Sequence, residues 1–221
     1  MSPRMMFEQE MELLKNKVAE MGERAQISYD RLLYAVKGMD REILKQLLDN
    51  DRQMLDMLRS IEARCLTLLT RQQPVARDLR VVSASLKVVT DIERVGDHVS
   101  DMAELFLRME EGYDFMKNEP TVTAMMNEAR EMLHMSVEAF AEGNTDMAGK
   151  VIDRDDVVDD YFNQVKEEMM EAIRSHDPNA EKEVDLLMIA KYLEKIGDHA
   201  VNIGEWAIFQ KTGDIQDVRL L

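Results

Sequence analysis

Cysteine, proline, glycine, aromatic residues and positive charge are all in short supply in this 221-residue chain. Its one cysteine, Cys65, allows no internal disulfide. Lying between Ile61 and Leu68 at helical spacing, it is expected to be a buried, unreactive thiol. With only 4 prolines and 9 glycines and few β-branched runs, the chain has little to interrupt a helix. No apolar stretch approaches the ~20 residues needed to span a bilayer. The start, Met1-Ser2-Pro3-Arg4 followed by Glu8 and Glu10, lacks the apolar segment of a signal peptide. A cytosolic protein is therefore expected.

Basic residues number 28 against 44 acidic ones, a net charge of −16. Such a chain is unsuited to nucleic acid, whose binding depends on neutralising phosphates. It also repels free phosphate and anionic membranes unless a cation intervenes. Divalent metals and proteins with basic patches are its natural partners. No nucleophile constellation, Gly-rich phosphate loop or basic pocket is evident, which argues against a phosphatase or a kinase.

What is abundant favours helix: 19 methionines, with many Leu, Glu, Lys, Arg and Ala residues. Breakers divide the chain into six helical stretches. These run from about Met6 to Lys37, Asp40 to Arg71, and Ala76 to Glu111, then to Glu142, from Thr145 to His176, and on to Thr212. The segment Gly112–Pro120 is the longest connector. The fold class expected is all-α, as two tandem antiparallel three-helix bundles covering residues 1–112 and 118–221.

The halves repeat each other. Leu48-Asp49-Asn50-Asp51 aligns with Ile152-Asp153-Arg154-Asp155, and Pro74 with Pro178. Ile92-Glu93-Arg94-Val95-Gly96-Asp97-His98 aligns with Leu193-Glu194-Lys195-Ile196-Gly197-Asp198-His199. Asp101 then pairs with Asn202, and Glu104 with Glu205. A period of roughly 100 residues means a duplicated bundle rather than a solenoid unit. Apolar seams run through Val88, Ile92, Val95, Val99, Met102 and Phe106, and through Leu186, Ile189, Leu193, Ile196, Ala200, Ile203 and Ala207.

At about 100° per residue, Glu93, Asp97, Asp101 and Glu104 share an arc of roughly 80°, opposite their seam. Glu194, Asp198, Asn202 and Glu205 repeat the pattern. Asp155 and Asp159 flank the core stripe of the preceding helix, again at i, i+4. In the first half Asp51 matches Asp155, but Leu55 replaces Asp159. A charged outward face is most often merely solvated. Here, however, neighbouring carboxylates repel without Lys or Arg between them on that face, and hard cations with several oxygen ligands would relieve this. Gly96 and Gly197 cost their helices about 1 kcal/mol each, implying close approach of another backbone. His98 and His199 lie about 100° off their aspartates and are additional metal candidates, as are Asp101 and Glu205.

The paired segments Asp91–His98 and Tyr192–His199 resemble the duplicated signature of the PhoU family. Arg71-Gln72-Gln73-Pro74-Val75-Ala76-Arg77-Asp78-Leu79-Arg80 resembles the turn before that family's third helix, and Phe7, Glu10 and Met21-Gly22 its N-terminal pattern. The resemblance implies a negative regulator of phosphate-starvation signalling, linking the ATPase subunit of a phosphate ABC transporter to a sensor histidine kinase, and expected as a homodimer. It implies multinuclear metal clusters, of iron, zinc or manganese, held by Glu93 and Asp97 with Asp51, and by Glu194 and Asp198 with Asp155 and Asp159. The alternatives are a metal-carboxylate oxidase, disfavoured by acids that point outward from three-helix units, and a metal-storage helical protein.

Overall fold

The computed structural model describes residues 3–110, 112–175 and 180–214, apart from the side chains of Pro3, Asn50, Asp51 and Ala180. Among these residues there are nine helices and no strand: α1 Pro3–Gly38, α2 Arg41–Leu47, α3 Asn50–Gln72, α4 Ala76–Arg108, α5 Phe115–Asn118, α6 Pro120–Glu142, α7 Thr145–Asp153, α8 Asp155–Arg174 and α9 Ala180–Thr212. The turns follow the breakers. Asp40 caps α2 by accepting from the amides of Glu42 and Ile43, and Asn144 caps α7 through the amide of Met147. Gly143 ends α6 in the left-handed conformation.

The second and fifth expected helices are each broken, at matching positions of the repeat. Leu48 bonds back three residues to the carbonyl of Lys45 at 3.2 Å, and Arg154 to that of Val151 at 3.1 Å. Each tight turn starts a new helix, so Asp155 occupies the first turn of α8, where the helix dipole favours a carboxylate. Arg154 is held by Glu128 of α6 at 2.5 and 3.0 Å.

The two long helices α4 and α9 make the most extensive helix pair in the fold. They run antiparallel, since Asp91 meets Asn202 while Arg108 meets Asp185. α1 and α6 also pack across the halves. One continuous apolar cluster results, running through both repeats. Val88, Ile92, Val95, Val99, Met102 and Phe106 are all buried in it, as are all seven seam residues of α9. Cys65 is fully buried too, and burial pushes its thiol up to about 12. Tyr29 crosses from α1 to α6, donating to the carbonyl of Met126 at 2.8 Å. Removing that hydroxyl loses a buried hydrogen bond, while the Met126 carbonyl keeps its own helical bond, at a cost of about 0.5–1.5 kcal/mol.

Candidate metal centre

In the second half α8 and α9 lie side by side, and the two i, i+4 carboxylate pairs face one groove. Gly197 permits this. A Cβ there would stand 3.3 Å from Val158 Cγ1 and 3.5 Å from Asp155 Oδ1. The close approach is thus made by side chains, not by the backbone expected from the sequence. Burial, followed by the charges of Asp159, Asp198, Asp156 and Glu194, pushes Asp155 up to about 6. Asp159 is raised by burial and then by Glu194 and Asp198. Asp155 and Asp159 thus each feel the charges of Glu194 and Asp198 across the groove.

The groove is not without cations, contrary to the sequence expectation. Lys191 Nζ stands 2.6 Å from Glu194, and Lys195 Nζ bridges Glu194 at 3.3 Å and Asp198. Their long stems let ammonium groups based one turn away swing over the acids. In this arrangement no three His, Cys, Asp or Glu side chains among the described residues gather closely enough to hold one ion. The donor set is nonetheless all oxygen and suits hard cations. Lys195 is 40% exposed, so its side chain can turn outward to solvent.

The first half is poorer. Arg94 donates to Asp97 at 3.0 Å and lies 3.8 Å from Glu93. Met54 fills the position of Val158, 3.1 Å from where a Gly96 Cβ would be. Leu55 stands in place of Asp159, and the side chain of Asp51 lies outside the described residues. Asp101 is raised by burial and then by Asp97 and Glu104, while a hydrogen bond with Tyr192 opposes this.

His98 and His199 lie at the α4–α9 crossing, their rings stacked 5.5 Å apart. The Asp91 carboxylate, 2.8 Å from His199 Nδ1, also accepts from Asn202 at 3.0 Å. The repeat places Tyr192 where Asp91 stands in the first half. His98 accordingly meets the Tyr192 ring at 5.4 Å, and its buried Nδ1 has no hydrogen-bond partner. Burial, then His199, Arg94 and Lys195, lower it to about 4, leaving a neutral imidazole at pH 7. Asp91 was not singled out from the sequence; the Asp-to-Tyr difference between the repeats was the available signal. Glu205 is half-buried on α9, two turns beyond Asp198. Glu131 and His134 have the Glu-x-x-His spacing of di-metal oxidases, a pair the sequence reading passed over. They are committed elsewhere, Glu131 to Arg130 at 3.1 Å and His134 to Asp30 at 3.3 Å.

Comparison with known proteins gives a consistent answer. Residues 18–106 and 122–207 each match the family model described as PhoU domain. A relative from Clostridium acetobutylicum, a phosphate-specific transport system accessory protein PhoU homolog, is 32% identical over 97% of this chain and 98% of its own. One of the same description from Aquifex aeolicus is 31% identical, covering 93% of each. The crystal structure of PhoU from Pseudomonas aeruginosa superposes with a TM-score of 0.85 at 27% identity, over 94% of this chain and all of that one. The Streptococcus pneumoniae structure, a phosphate transport system regulatory protein PhoU, gives 0.86 at 24% identity over 96% of this chain.

Proposed function

Since the chain belongs to the PhoU family through both of its halves, we propose that it is an accessory protein of phosphate-specific transport that represses phosphate-starvation signalling. It works by binding rather than by catalysis. Its partners are the transporter's ATPase subunit and a sensor histidine kinase, it acts in the cytoplasm, and it assembles as a homodimer. The α8–α9 groove holds a cluster of metal ions through Asp155, Asp159, Glu194 and Asp198, with Glu93 and Asp97 of α4 forming a second, weaker site.

The observation that carries the metal reading is the convergence of the four carboxylates on one groove, where burial and then the charges of its neighbours push Asp155 up to about 6. A bound hard cation would supply the charge that two lysines now supply in part. No described helix is long and apolar enough to cross a membrane, in keeping with contact to the transporter through its soluble subunit.

The test has two arms. Elemental analysis of tag-free protein is compared with Asp97→Ala and Asp198→Ala variants of unchanged helix content. The second variant should lose most of the bound iron, zinc or manganese and the first only part; equal metal in all three sinks the metal reading. In cells, deleting the chain should switch on a phosphate-starvation reporter in high phosphate. A reporter that stays silent sinks the regulatory reading.

A further inference from the structure

The turn between α3 and α4, residues 71–80, is unlike the rest of this acidic surface. Val75 is 74% exposed and Leu79 42%, with Leu66 of α3 at 56% nearby in sequence. Arg71 and Arg77 are exposed and pair with no carboxylate among the described residues. Asp78 is the one acid in the segment. Gln73 and Ala76 both sit at φ 48°, a left-handed conformation that side-chain-bearing residues adopt at a cost. Such strain persists where the surroundings impose it and tends to mark functional segments. Val75 caps α4 with no side-chain hydrogen bond, which leaves a positive helix end at the turn.

The duplication supplies an internal control. Aligned on Pro74 and Pro178, the second half replaces Arg71 with Ser175, Val75 with Asn179, Arg77 with Glu181 and Leu79 with Glu183. At these four positions the second half carries neither a basic nor an aliphatic residue. Beside the turn, a cleft of about 340 Å³ opens between the halves. Arg77, Lys15 and Lys211 line it against two carboxylates, Glu12 and Glu142, and Val81 and Phe140 form an apolar wall.

We propose that the 71–80 turn docks an acidic amphipathic segment of a partner protein. Carboxylates of that segment pair with Arg71 and Arg77, and its apolar side chains cover Val75 and Leu79 and reach the cleft beyond. Charge complementarity selects this occupant, because in a chain of net charge −16 Arg71 and Arg77 stand beside the exposed Val75 and Leu79 with no carboxylate paired to them among the described residues. The surface is separate from the carboxylate groove and its use does not depend on metal.

The test measures fluorescence anisotropy of three labelled helical peptides binding the full chain. They share one leucine-rich face and carry flanking Glu, Gln or Lys. The Glu peptide should bind best, and weaken as salt is raised. R71E/R77E should weaken it by about tenfold or more, and V75S by a smaller factor, with helix and metal content unchanged. K150E, on α7, should leave it intact. Absence of binding by the Glu peptide, or equal binding of the Lys peptide, overturns the proposal. Capture of anionic vesicles through the same arginines would make the surface a membrane site, and a dimer lost in R71E/R77E would make it a self-interface; either result overturns it as well.

Discussion

The two repeats have kept the same order of helices and diverged in the side chains these carry. In the second half the groove gathers Asp155, Asp159, Glu194 and Asp198 over a glycine that lets them approach. At the equivalent glycine of the first half, Met54 packs over Gly96, and Leu55 replaces one acid. The first half instead carries the basic, strained turn, where the second carries glutamates. At the crossing between them, Asp91 stands 2.8 Å from His199 Nδ1, whereas Tyr192 leaves His98 Nδ1 without a hydrogen-bond partner, its nearest carboxylate being Asp101 at 3.9 Å. Duplication thus lets one copy gather four carboxylates in a groove while the other carries a basic, apolar turn.

The sharpest way to break this comparison is by metal binding. Asp155→Asn with Asp198→Asn should weaken the tightest site at least about tenfold, while Glu93→Gln with Asp97→Asn should affect only the weaker site, as read by competition with a fluorescent chelator. Equal losses would mean that the halves are equivalent.

The next contrast lies in pH. Asp155 is pushed from 3.8 up to about 6 in the folded protein, so the metal-free fold binds its proton more tightly than the unfolded chain does. Its favourable contribution is fully present below about pH 4 and is lost as pH rises through about 6. Asp155→Asn should therefore raise the melting temperature of metal-free protein at pH 7 by about 2 °C and change it little at pH 4. With metal present the order should reverse, because the variant has lost a ligand. Calorimetry at both pH values checks this.

The crossing offers a third contrast. Asp91→Asn disturbs bonds to His199 and Asn202 at a side chain 15% exposed, and should cost about 1–2 kcal/mol in urea unfolding. Asp101→Asn, at a side chain 48% exposed, should cost about 0.5 kcal/mol or less. A gain rather than a loss belongs to the strained turn. Ala76→Gly should stabilise the chain by up to about 1 kcal/mol, because glycine accepts φ 48° without a Cβ clash. No gain would mean that the neighbouring residues, not the backbone, absorb the strain.

Much of this was legible before any coordinates. Helix limits followed from Asp40, Pro74, Gly143 and Asn144, because breakers act locally. The carboxylate pairs followed from the 3.6-residue period. Other features depend on what meets across elements. Lys191 and Lys195 fold over the acids through flexible stems whose direction no periodicity fixes. The breaks at Leu48 and Arg154 carry neither proline nor glycine, and Arg154 is held by Glu128, 26 residues away in sequence. His98 and His199 could be assigned to the α4–α9 seam only once the partner helix was known. The arginines of the 71–80 turn were read as a family pattern, and their lack of carboxylate partners among the described residues emerged from the fold.

The α4–α9 seam also bears on how the chain is made. Its buried face on α4 is complete by residue 108, yet the helix that covers it ends at residue 212. At the usual pace of synthesis those intervening residues take about 5–20 s to appear. Until then Asp91 and His98 have no His199, Asn202 or Tyr192 to meet. A growing chain must hold its first repeat unfinished at this crossing and complete it late, through contacts that join residues about a hundred apart in sequence.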